Sequence, residues 1–123
     1  MRFITDRKRA VGLGSSKDGV KDFWKVRLTS GALFILIPLF IFTFGPMLGE
    51  PHDVVIAYFA RPFPAIVTAL TIIVGFKHFC DGARVMLEDY VHGNTEIVMI
   101  VGVACVSYGA MATGLFAIAK IAL

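Results

Sequence analysis

Three stretches of this chain, 28–48, 63–76 and 97–119, contain no charged residue. A helix rises about 1.5 Å per residue, so about 20 apolar residues cross a hydrocarbon core roughly 30 Å thick. The first and third stretches meet that length unaided. The second meets it only if its helix continues to about Tyr90, through a strongly polar end. Hydrophobic residues make up 57% of the 123, against roughly 45–50% in soluble domains. The expected fold is an all-α integral membrane protein with three transmembrane helices, at about 26–47, 64–89 and 97–119. A basic segment over 1–24 precedes a membrane domain over 25–123.

The first apolar run exceeds the signal-peptide core of about 7–15 residues and follows a segment holding Asp6, Asp18 and Asp22, so it is expected to be retained. Eight of the 12 Lys and Arg residues precede it, and the first loop holds only Arg61. The positive-inside rule then places the N-terminus and the 91–96 loop inside, and the 49–62 loop and Leu123 outside. A bacterial inner membrane is the expected location, ahead of the mitochondrial inner membrane. Phe23 and Trp24 beside Lys25 and Arg27 suit the headgroup level, where aromatic rings settle and cations reach phosphate.

Several motifs carry no chemistry of their own. The basic N-terminal segment mixes both signs and runs into a span, which fits contact with membrane lipid and not with nucleic acid. The "GLGS" at 12–15 has no strand before it and no βαβ unit after it, so it is expected to be a turn. Cys80 and Cys105 belong to no metal-spaced array and are expected to be buried thiols. "GPMLGEPHD" at 45–53 ends the first helix in an outer loop with His52 as a loop residue, and Pro38 sits within the first span. The small residues Gly102, Ser107, Gly109, Ala110, Ala112 and Gly114 are expected to let helices approach closely.

The polar end of the second run, "KHFCDGARVMLEDYVHG" at 77–93, is the anomaly. A helix running inward to Tyr90 brings Asp89 to the interface and leaves His78 about 16 Å deeper, near the midplane. At 100° per residue, His78, Gly82, Val85 and Asp89 share one face, and Lys77, Asp81, Arg84 and Glu88 the adjacent one. Charges at mid-membrane cost roughly 2.5–3.5 kcal/mol apiece, so both faces should turn toward protein or cofactor. On the second face, Lys77 with Asp81, Asp81 with Arg84 and Arg84 with Glu88 can pair along the helix. On the first, a midplane imidazole has two common uses, proton relay and metal ligation.

His78, Gly82, Asp89 and Tyr90 form a pattern H-x3-G-x6-D-Y followed by "VHG", and "DGVKDFWKVRLTSGAL" covers 18–33 with Arg27 and Thr29 inside it. Together with three spans, this resembles the hydrophobic membrane-anchor subunit of succinate dehydrogenase, the D-type cytochrome b small subunit of respiratory complex II. The chain departs from that family in carrying Asp81 and Arg84 where the family is mostly uncharged. The resemblance implies a haem b shared with a cytochrome b large anchor subunit, and a ubiquinone pocket near the inner surface. It also implies a flavoprotein subunit and an iron–sulfur subunit docked on that side. It makes His78 the axial ligand of the haem iron, Tyr90 the quinone-contacting tyrosine and Asp89 the aspartate beside it, and it puts Arg27 near the haem propionates or the quinone pocket.

His78 is the one histidine expected inside the bilayer, and His92 lies about 21 Å further along the same helix, so a second axial ligand must come from another chain. No flavin fingerprint and no cysteine cluster is present, so the chain is expected to be a non-catalytic subunit of succinate:quinone oxidoreductase, serving the tricarboxylic acid cycle and respiratory electron transfer. Two rivals stand beside this reading. One is the anchor of a related fumarate reductase. The other is a small proton-coupled transport subunit without haem, in which His78, Asp81 and Asp89 form a relay.

Overall fold

The structure, a computed structural model, describes residues 5–12 and 18–123. Residues 13–15 of the "GLGS" stretch lie outside the described residues. Five α-helices follow in order: α1 (Asp6–Val11), α2 (Asp18–Phe44), α3 (His52–Phe59), α4 (Pro62–Tyr90) and α5 (Asn94–Ala122). α1 sits in the basic N-terminal segment, where the Thr5 hydroxyl caps it by accepting from the Lys8 amide. A 3-10 turn over Gly45–Met47 closes α2. Three helices are long and apolar enough to cross a membrane, with mean hydropathies of 2.1, 1.6 and 1.9 in chain order.

The helices overrun the apolar stretches because local chemistry extends them. α2 begins at Asp18, well before the first uncharged residue, and an Asp22–Lys25 pair at 2.9 Å supports its exposed first turns. It also runs unbroken through Pro38. α4 starts on Pro62, with Pro64 in the same turn, where proline's missing N–H goes unneeded. It ends where Val91 turns extended, and Gly93 at φ 74° then reverses the chain into α5.

The 49–62 segment, expected as an irregular loop, holds the helix α3, and His52 is its exposed first residue. Pro51 sets up the start, Asp53 suits the first turn, and "VVIAYF" supplies an apolar side. Eight residues give too few turns for periodicity to betray such a helix, and the flanking prolines and glycines disguise it.

α4 is the spine. α2 packs along one side and α5 along another, and both make their main contacts with α4. At the Pro62 end, α3 folds against α4 and α5 and buries Phe59. Phe59 meets Phe44 at 6.0 Å between ring centroids, Phe44 stacks on Phe40 at 5.2 Å, and Tyr58 lies edge-on to Phe59 at 5.3 Å. Pro64, Ala65, Val67 and Thr68 are buried beside this cluster.

The small residues of α5 divide in two. A Cβ on Gly114 would lie 3.2 Å from Ile72 of α4, and Ser107 is buried, so these two do permit close approach. Gly102, Gly109, Ala110 and Ala112 are exposed and face away from the spine, contrary to expectation. Cys105 is likewise exposed, not buried, because it shares that outward side; Cys80 is half-buried, and both thiols are free.

Candidate cofactor-binding site

His78 is half-buried on α4, with Nδ1 2.9 Å from Oγ1 of Thr29 on α2. Thr29 is within reach because a helical threonine turns its hydroxyl back on its own helix: Oγ1 lies 3.0 Å from the carbonyl oxygens of Lys25 and Val26. This contact between α2 and α4 engages one ring nitrogen and leaves Nε2 without a hydrogen-bond partner among the described residues.

The helix face around His78 is bare. Gly75, three residues before it, and Gly82, four after it, both lie on its side of α4, and a Cβ at either would meet nothing within 4 Å. Beyond Gly75 an apolar groove of about 440 Å³ runs toward the Pro62 end, lined by Phe40, Thr68, Thr71, Ile72, Phe76 and Phe79. An imidazole nitrogen on a glycine-flanked helix face, with an apolar groove reaching Gly75, is a donor set that suits a planar metal macrocycle, and the two glycines keep open space that larger side chains would fill.

The charged face of α4 turns to a different place. Lys77, Asp81, Arg84 and Glu88 join Asp22 and Lys25 of α2 and Tyr108 of α5 around a cleft of about 270 Å³. Lys77 pairs with Asp81, and Arg84 with Glu88 at 2.7 Å. The anticipated Asp81–Arg84 contact is not formed, since each partner is already committed at four-residue spacing. The three ion pairs, Lys25–Asp22 included, balance in sign, which is how such a face is tolerated at membrane depth. Oδ2 of Asp81 has no hydrogen-bond partner among the described residues.

The remaining candidates are not gathered around His78. Tyr90 is the last residue of α4 and 83% exposed, with exposed Asp89 beside it about 100° around the helix. The Arg27 guanidinium lies 5.0 Å over the Phe23 ring rather than near the imidazole. His78 bonds Thr29 while Asp81 bonds Lys77, so no direct hydrogen bond joins His78, Asp81 and Asp89 among the described residues. Thr29 was visible in the sequence only as part of the 18–33 match. The run 28–48 also holds the hydroxyls of Ser30 and Thr43, so no sequence signal singles out Thr29; the packing of α2 on α4 does.

A central helix that carries charged residues, flanked by two largely apolar helices whose outer surfaces are almost wholly exposed, defines an all-helical membrane protein with three helices long and apolar enough to span. The family model for the succinate dehydrogenase/fumarate reductase transmembrane subunit matches residues 1–111, and the chain belongs to that family. It is also similar to the succinate dehydrogenase hydrophobic membrane anchor subunit of Paracoccus denitrificans, at 39% identity over 123 residues, covering 100% of this chain and 95% of that one. No solved structure matches the chain.

Proposed function

We propose that the chain is the membrane anchor of a succinate:quinone oxidoreductase, with His78 an axial ligand of haem b and Tyr90 and Asp89 at a ubiquinone-reduction site. The observation that carries the reading is the imidazole on a glycine-flanked face with Nε2 free, in a chain of this family. The name of the 39% identical relative favours succinate oxidation over the fumarate reductase alternative. The active flavin and iron–sulfur chemistry belongs to a flavoprotein and an iron–sulfur partner, and the second haem ligand to a larger cytochrome b anchor. A bacterial inner membrane is the proposed location.

When bound, the haem supplies a one-electron store within the bilayer. His78 would hold it by Nε2, and the apolar side chains of the groove near Gly75 would help to exclude water. Arg27, freed from Phe23 by a modest side-chain rotation, offers a cation to propionates or to the quinone pocket. Quinone reduction takes two electrons and two protons. At the Tyr90 end the phenolic O–H donates to a quinone carbonyl oxygen, while the Asp89 carboxylate orients it and relays protons from the aqueous side.

The test is the reduced-minus-oxidised absorbance spectrum of the purified complex. Bands of a six-coordinate b-type haem, with haem content matching that of flavin, are the expected result. A complex that oxidises succinate yet contains no haem would refute the ligand assignment. Orientation is tested by single cysteines placed at Thr5, His52 and Asn94 in a background lacking Cys80 and Cys105. Labelling at position 52 from the inner side alone would reverse the topology and move the quinone site.

A further inference from the structure

We infer that Thr29 is a positioning residue that fixes the tautomer and aim of His78, so that Nε2 presents its lone pair outward. This rests on the reading above, in which Nε2 binds haem iron. The assignment follows from counting protons. The Thr29 hydroxyl has one hydrogen and sits 3.0 Å from two carbonyl oxygens, Lys25 and Val26, neither of which can donate. If the hydroxyl instead donated to the imidazole, its oxygen would face both carbonyls with no hydrogen between. Directed at the carbonyls, that hydrogen leaves an oxygen lone pair facing His78. Nδ1, at 2.9 Å, must then be the donor. A neutral imidazole protonated at Nδ1 is bare at Nε2, the form a metal takes up.

The glycines make this contact more than a convenience. With Gly75 and Gly82 on its own face, two of the four helical neighbours of the His78 ring carry no side chain, leaving only Val74 and Asp81 within one turn on that side. Opening the face for a ligand removes part of the packing that would orient the ring, so orientation rests on the polar contact from α2, the one hydrogen bond the ring makes among the described residues. Thr29 suits the task because its β-branched side chain is held at χ1 by the helix and by the back-bond to the carbonyls. Ser30 makes the same kind of back-bond, to Val26 at 2.8 Å, yet is exposed and touches no imidazole, which makes it a control for backbone effects.

The assembled complex is compared with Thr29→Val, Thr29→Ser and Ser30→Ala variants by redox titration of the haem, by its low-spin electron paramagnetic resonance signature and by haem content. An imidazole that donates from Nδ1 is a stronger base at Nε2 and favours the oxidised iron. Thr29→Val should therefore raise the haem potential, shift the resonance signature and weaken haem affinity about 10–100-fold. Thr29→Ser should restore all three, and Ser30→Ala should match wild type. An unchanged potential and signature in an assembled Thr29→Val complex would overturn the positioning role, while loss of the ligand in His78→Ala would leave the ligand assignment standing. If His78→Ala changes nothing, the ligand assignment itself fails. Should Thr29→Val not assemble, nitrogen-15 NMR of the full-length wild-type chain with labelled histidine decides the matter: a proton on Nδ1 is the expected result, and a proton on Nε2 overturns the inference.

Discussion

The two ends of α4 are built on opposite plans. At Pro62 the chain closes itself: α3 folds over the helix ends and Phe40, Phe44, Tyr58 and Phe59 fill the space with rings. At Tyr90 it does not. Asp89 and Tyr90 stand exposed, and the cleft nearby is walled by ion pairs instead of packed side chains. One end is finished by this chain's own residues, and the other keeps its polar groups available for whatever docks there. His78 lies between the two, at the point where apolar groove gives way to charged cleft.

The largest expected effect falls on that midpoint. His78→Ala should abolish the six-coordinate low-spin spectrum, read in the purified complex; a retained spectrum with unchanged iron content would remove His78 from the site. At the closed end, Phe59→Ala should lower stability by about 3 kcal/mol through the cavity it leaves. Thermal inactivation of the complex would show this, with the haem spectrum of the surviving fraction unaltered. Damage to the spectrum would mean the ends are coupled and the contrast between them false.

At the open end, Tyr90→Phe keeps the ring and removes the donor, costing about 1–3 kcal/mol of binding or transition-state stabilisation. Succinate-to-ubiquinone turnover should fall roughly five-fold or more at low quinone, while succinate oxidation by an artificial acceptor holds steady. A parallel fall in both activities would indicate failed assembly, and no fall in either would make Tyr90 a membrane-interface anchor. The smallest effect belongs to the exposed pair Arg84–Glu88. Glu88→Gln should cost only about 0.3–0.5 kcal/mol in thermal stability, and a loss of several times that would show that the cleft is sealed in the assembled complex.

The three spans were legible because charge-free runs of that length admit few other folds, and the paired charges of α4 because 77, 81, 84 and 88 repeat at helical spacing. His78 stood out through its spacing to Gly82, Asp89 and Tyr90, since a lone histidine within a span is more often structural. Three features escaped. α3 is too short for a periodic signal. Thr29 reaches His78 across 49 positions, a contact that only the packing of α2 on α4 creates. The outward turn of Cys105 and of the exposed α5 glycines depends on which side of α5 meets the spine, and a helix apolar all round does not announce that.

The spine arrangement carries one more consequence. Because α2 and α5 each make their main contacts with α4, the fold has two principal seams: Thr29 against His78 in one, Gly114 against Ile72 in the other. Substitutions that share no partner combine additively, within about 0.3–0.5 kcal/mol. Gly114 and Thr29 share no partner, so a change at Gly114 can tighten or loosen the α5 seam with little energetic echo at the imidazole, whereas the charged cleft and α3, which both seams reach, tie the two together at their ends.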